Sequence, residues 1–158
     1  MEVGKRAGNV GRTIMEKTRS GFTFLEVLIS VLIISILSGV VGLSLYQHVR
    51  KAKIEAARTQ IKTFQTAIQI YRTEQGRVPT LQQGLLALCQ KPATEPVPKE
   101  YPEEGYLESS QVPLDPWKNE YIYLVPGRKG EPFEVISYGG DGEPGGTGEA
   151  ADISSSDI

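Results

Sequence analysis

The chain has 158 residues, a net charge of −2 and 39% apolar side chains, enough for one modest globular domain plus accessory segments. So small a net charge points to neither nucleic acid nor an acidic substrate as a partner. One cysteine, Cys89, excludes an intramolecular disulfide framework, and one histidine, His48, leaves Ser–His or Cys–His catalysis without partners in evidence.

Charge is nonetheless unevenly placed. Residues 1–21 carry five basic and two acidic side chains, a net +3, and the remainder carries −5. Residues 24–46, FLEVLISVLIISILSGVVGLSLY, follow as an apolar run with one charge, Glu26. As a helix it reaches about 35 Å, enough for a bilayer core of roughly 30 Å. It is too long for the h-region of a secretory signal, and no A-x-A-like site follows it, so it is expected to be a retained span. Arg50, Lys51 and Lys53 come soon after, so the positive-inside rule only weakly prefers a cytoplasmic N-terminus.

The helix should continue past the run. Ile54, Ala57, Ile61, Phe64, Ile68 and Tyr71 recur at steps of three and four, one apolar stripe, with charged and amide side chains between them. Gly76 and Pro79 mark its end, which predicts one long helix from about Phe22 to Gln75. The stripe needs a cover from the rest of the chain. A second helix is expected at Leu81–Leu88 with Thr80 as N-cap, and Cys89 after it reads as core filler. Residues 91–116, rich in Pro, Glu and Lys, read as an irregular loop. Tyr121–Val125 and Phe133–Tyr138 read as strands of a hairpin around PGRKGEP.

The tail from Gly139 holds no basic residue and too few apolar ones to fold on packing alone. Asp141, Glu149 and Asp152 are hard oxygen donors among glycines, a chemistry that suits Ca²⁺, but the spacing is not that of an EF-hand. Composition alone favours a disordered tail.

The segment RSGFTFLE at 19–26 resembles the type III signal of prepilins: a basic leader ending in Gly21, then Phe22, then Glu26. YRTEQGRVPTLQQGLLAL at 71–88 and VPLDPWKNEYIYLVPG at 112–127, with Asp115, Pro116, Trp117, Asn119 and Tyr121, narrow the resemblance to the major pseudopilins of type II secretion, over nearly all of 19–153. That resemblance implies an α+β, pilin-like fold, a long N-terminal helix packed against a small antiparallel β-sheet and a C-terminal loop. It divides the chain into a cleaved leader 1–21, a transmembrane and assembly helix 22–46, its amphipathic continuation 47–75, and a periplasmic part 76–158 with a calcium loop at 138–153.

The resemblance also implies roles for particular residues. A prepilin peptidase would cut between Gly21 and Phe22 and N-methylate Phe22. Glu26 would pair with the Phe22 amine of a neighbouring subunit, the lesser alternative for a carboxylate in a membrane helix being to snorkel to headgroups. Calcium would be held by Asp141, Asp152, the Tyr138 carbonyl and Glu149, the last where relatives often place aspartates. Trp117 and Tyr121 read as core aromatics. Many pseudopilins have a proline near the position of Leu43; here Gly39 and Gly42 could supply the soft segment or allow close helix packing. The implied partners are further copies of the chain in a homopolymer, minor pseudopilins, an inner-membrane platform and a cytoplasmic secretion ATPase, and no nucleic acid. The expected protein is a single-pass, inner-membrane structural subunit that drives export of folded proteins. Its rivals are a surface type IV pilin, whose usual C-terminal disulfide Cys89 cannot form, and a single-span enzyme, which would need a cluster of His, Cys or paired carboxylates.

Overall fold

The computed structural model describes residues 21–158, apart from the side chains of 39–45. The expected leader, up to residue 20, and the side-chain reading of the Gly39–Gly42 segment and of Leu43 lie outside the described residues. The described residues fall into two units, one up to Val41 and one from Gly42 to Ile158, and helix α1 is Phe24–Gln75.

In the first unit α1 begins where Thr23 Oγ1 accepts the backbone N–H of Glu26 at 3.2 Å, the usual N-cap bond. From Phe24 to Leu37 the large apolar side chains are exposed on every side. The hydroxyls of Ser30, Ser35 and Ser38 donate to the carbonyls four residues back, at 2.7–2.8 Å, so these polar groups are satisfied within the helix. Among the described residues no helix is long and apolar enough to cross a membrane. The part of the run with described side chains, 24–38, is shorter than the roughly 20 residues a span requires.

In the second unit the expected stripe is buried: Ala57, Ile61, Phe64, Ile68 and Tyr71 face the core, with Ile54 packed at its edge. Gly76 ends α1 at φ +72°, its N–H donating to the Arg72 carbonyl at 2.9 Å. The second helix is shorter than expected. Residues 81–84 form a turn and only Leu85–Leu88 are helical, as one 3₁₀ turn, because Gly84 at φ +58° breaks the helical path. Thr80 is therefore not the helix N-cap, which is Gly84 without a side-chain bond; Thr80 and Gln83 instead exchange backbone-to-side-chain bonds at 3.0 and 3.2 Å and close the preceding turn.

Three strands, β1 Ile122–Leu124, β2 Glu134–Ser137 and β3 Ile153–Ser154, form an antiparallel sheet in the order β1-β2-β3. Tyr123 faces Val135, and Ser137 faces Ile153. β1 and β2 are each one residue shorter at both ends than the sequence predicts. β3 was not legible at all: two residues are held by Ser155, whose N–H donates to Val135 O at 2.8 Å and whose Oγ accepts Val135 N–H at 2.9 Å. β2 is buried along its whole length. Phe64 of α1 meets Tyr121 edge-on, ring centres 5.0 Å apart, and Gln65 Nε2 donates to Ser155 O at 3.0 Å, so helix and sheet close one core. Cys89 is buried, free and pushed up in pKa by that burial.

Candidate functional site

The C-terminal loop from Tyr138 to Asp152 is built on a turn that precedes β1. Asp115 is buried and its Oδ1 accepts the N–H groups of Trp117 at 3.0 Å and Asn119 at 2.8 Å, an Asx turn followed by Pro116. Its Oδ2 accepts the Ser137 hydroxyl at 2.7 Å, tying the turn to the end of β2. Asn119 Nδ2 then donates to Gly139 O at 2.8 Å, and Trp117 Nε1 donates to Glu149 Oε1 at 2.8 Å. Within the loop, Gly140 N–H donates to Glu149 O at 2.8 Å. Gly139, at φ +66°, is boxed in: a Cβ there would lie 2.7 Å from Glu149 O and 2.9 Å from Ala151 O. The loop is thus ordered by hydrogen bonds to its surroundings more than by burial of its own side chains.

Glu149 also reaches α1. Its Oε2 lies 3.5 Å from Arg50 Nε and its Oε1 4.0 Å from Lys53 Nζ, while Lys53 sits 6.0 Å from the centre of the Trp117 ring. Gly148 lies against the Arg50 guanidinium, and a Cβ on it would meet Nη2 at 2.8 Å. The other two acids lie elsewhere in the loop. Asp141 Oδ1 accepts Glu143 N–H at 3.2 Å, and Asp152 Oδ1 accepts Gly145 N–H at 2.8 Å. Asp152 Oδ2 is 3.9 Å from Arg128 Nη1.

Whether a hard cation suits this loop turns on these donors. Asp141 keeps a second carboxylate oxygen with no hydrogen bond among the described residues, Asp152 Oδ2 faces only the Arg128 guanidinium at 3.9 Å, and glycine-rich backbone supplies carbonyls. That chemistry fits Ca²⁺ through Asp141 and Asp152. The Glu149 carboxylate is turned to Trp117, Arg50 and Lys53 instead. Among the described residues no three His, Cys, Asp or Glu side chains gather in one place. Tyr138 is half-buried where the loop leaves the sheet.

At the other end of the chain Phe22 is exposed, and Glu26 sits exposed in the first turn of α1, where a carboxylate complements the helix dipole. Sequence reasoning missed the work of Asp115, Trp117 and Asn119, and the contacts of Arg50 and Lys53. Asp-Pro followed by Asn is an Asx-turn signature that was available. Nothing local pairs Glu149 with Arg50. Tyr121 is core, as expected, whereas Trp117 is only half-buried and uses its N–H.

A long helix with an apolar first half, its second half buried under a three-stranded sheet and a braced loop, defines a pilin-like structural subunit. The family described as type II secretion system (T2SS), protein G, matches residues 44–156, and the prokaryotic N-terminal methylation motif matches 17–42. The core protein G of the type II secretion system of Pseudomonas aeruginosa is 39% identical over 140 residues, covering 89% of this chain and 96% of that one. That of Vibrio cholerae is 43% identical over 141 residues, covering 88% and 94%. The crystal structure of the major pseudopilin from the type 2 secretion system of enterohaemorrhagic Escherichia coli superposes with a TM-score of 0.60 at 31% identity, over 72% of this chain and 95% of that one. The chain belongs to the type II secretion system protein G family: it is a structural pseudopilin and not an enzyme, and not the surface type IV pilin weighed against it.

Proposed function

We propose that the chain polymerises through the first half of α1 into the pseudopilus, as a single-pass inner-membrane protein with a cytoplasmic N-terminus and a periplasmic domain. The observation that carries this reading is the surface of Phe24–Ser38: apolar on every side, its serine hydroxyls bonded internally, and Glu26 its sole charge. A helix apolar all round belongs in lipid or among like helices. A prepilin peptidase removes residues 1–21 and methylates Phe22; the methylation motif at 17–42 supports this. Glu26 then accepts the Phe22 amine of an incoming copy, a pairing that sets register because an unpaired carboxylate among apolar helices is costly. Minor pseudopilins, the inner-membrane platform and the cytoplasmic ATPase act with the filament to export folded proteins across the outer membrane. Calcium, where present, is held by Asp141, Asp152 and the Tyr138 carbonyl, supplying the charge balance the acidic loop lacks, while Glu149 anchors the loop to Trp117 and α1.

Two measurements test the assembly reading. Mass spectrometry of membrane-extracted protein should find a mature terminus at N-methylated Phe22; an intact Met1 would refute the processing. Glu26→Leu should insert as well as the wild type but give few crosslinked filaments. A normal filament yield from that variant would show that Glu26 only snorkels.

A further inference from the structure

The basic residues after the apolar run border a cavity that neither the assembly reading nor the loop's acids use. It measures about 310 Å³ and is lined by Gln47, Arg50, Lys51, Ile54 and Gly148. That is the small end of the range for small-molecule sites, about 300–1,000 Å³. Arg50 Nε is sealed from solvent and makes no hydrogen bond, Glu149 Oε2 standing off at 3.5 Å. Yet 38% of the Arg50 side chain stays accessible. Lys51 is exposed one residue on. Against Arg50, Lys51 and Lys53 stands one acid, Glu149, since Glu55 is paired with Arg58 at 2.9 Å. The cavity rim is therefore net positive.

Position along the helix says what meets it. The apolar run closes at Tyr46, an exposed aromatic of the type that marks a membrane interface. Arg50 and Lys51 come four and five residues later, about 6–7.5 Å farther along the axis at about 1.5 Å per residue. A bilayer of about 40–45 Å with a hydrocarbon core of about 30 Å has a headgroup layer of about 5–7.5 Å on each side. The cationic rim thus falls at headgroup depth.

We infer that this cavity binds the phosphate of an anionic phospholipid headgroup, through Arg50 and Lys51 with Gln47 as a neutral donor. Gly148, at φ +65°, lets the loop backbone lie against the Arg50 guanidinium, where a Cβ would meet Nη2 at 2.8 Å. The inference rests on the membrane reading above. It also gives the loop a second connection to the bilayer, since the same arginine faces Glu149.

The test uses the full chain in nanodiscs of phosphatidylcholine with and without phosphatidylglycerol, followed by gentle extraction and mass spectrometry of lipid retained per chain. Wild type should retain phosphatidylglycerol about fivefold or more above Arg50→Gln/Lys51→Gln, given the attraction of each basic residue for an anionic surface. Lys51→Gln alone, which leaves the Arg50–Glu149 contact intact, should show a smaller loss with unchanged Trp117 fluorescence, so a misfolded double variant does not decide the matter. Equal retention by wild type and Lys51→Gln overturns the inference. So does displacement by millimolar inorganic phosphate, which would mark a free-phosphate site. Loss of filament crosslinks with lipid retention unchanged also overturns it, and assigns the rim to an acid of a second copy. If the wild type enters neither nanodisc, the membrane reading fails and takes this one with it; insertion without lipid preference sinks this one alone.

Discussion

Glutamine in place of Glu134 is expected to weaken folding by about 2–3 kcal/mol at neutral pH and by little near pH 2. Glu134 lies on β2 with its side chain 1% exposed. Oε1 accepts Arg128 Nη2 at 2.9 Å and the Ser154 hydroxyl, and Oε2 accepts the Arg128 backbone N–H at 2.8 Å. One buried charge thus joins the β1–β2 turn, β2 and β3. Those bonds, the Arg128 side chain first, overcome the opposing effect of burial and hold the carboxyl at about 2 against its ordinary 4.5. A carboxyl lowered by folding stabilises fully above its unfolded pKa, and the contribution is lost as pH falls from about 4.5 through about 2. At about 1.4 kcal/mol per pH unit the whole shift would amount to about 3.4 kcal/mol. Arg128 is 47% exposed, so water screens part of that and about 2–3 kcal/mol remains.

Glutamine can keep its one carbonyl on the Arg128 N–H and turn its amide N–H to the Ser154 hydroxyl, which then accepts, and Arg128 can turn to solvent, so the variant loses the charge and strands no partner. Urea titration of the full chain in detergent, followed by the fluorescence of Trp117, the one tryptophan, reads the difference. Other carboxyls titrate in both proteins and cancel in the comparison. The corresponding fall in melting temperature is on the order of 10 °C. A loss under about 1 kcal/mol at pH 7, or a gap that persists undiminished near pH 2, would refute the reasoning.

Gly139→Ala should destabilise the loop by more than about 1 kcal/mol, since it adds a clash with two carbonyls to a backbone at φ +66°, and Trp117 fluorescence should shift toward that of the unfolded chain. Cys89 should resist thiol reagents in the native protein and react on unfolding, because burial both shields the thiol and disfavours the thiolate; rapid native labelling would contradict its placement. Millimolar Ca²⁺ should raise the melting temperature of the wild type, and Asp141→Ala or Asp152→Ala should remove most of that rise, while Asp157→Ala should not. At a hundredfold excess over its dissociation constant the linkage contributes about 2.7 kcal/mol.

The second half of α1 was legible because five positions of one periodic stripe, from Ala57 to Tyr71, declare a face over several turns, and the structure buries that face. Short elements carry no such redundancy. Leu81–Leu88 has helix-forming composition, but one glycine with positive φ at Gly84 overrides it. β3 shows no period, because two residues cannot have one, and its pairing depends on the Ser155 hydroxyl and on β2 already being in place. In the candidate site the oxygen donors were visible as acids among glycines. The orientation of Glu149 was not, since it is set by Trp117 and Arg50, both distant in sequence and brought near only by the closed core.

The bracing of the loop changes what a bound cation has to do. Composition suggests a tail that metal alone could order, because glycine-rich backbone loses much entropy on folding. Here Asn119 holds Gly139, Trp117 and Arg50 hold Glu149, and Ile153 is buried beyond, so both ends of the acidic stretch are fixed by the domain itself. The turn between them, 141–148, is held more lightly, through its own ends, Gly148 and the Gly145 N–H that donates to Asp152 Oδ1 at 2.8 Å. A cation bridging Asp141 and Asp152 would close that turn across a short span and not fold the tail from a random chain. Its effect on amide exchange should therefore concentrate at 141–148, with Gly139 and Ser154 protected in its absence. Exchange that is fast throughout 138–156 without calcium would mean that the hydrogen bonds from the Asp115 turn are too weak to brace the loop.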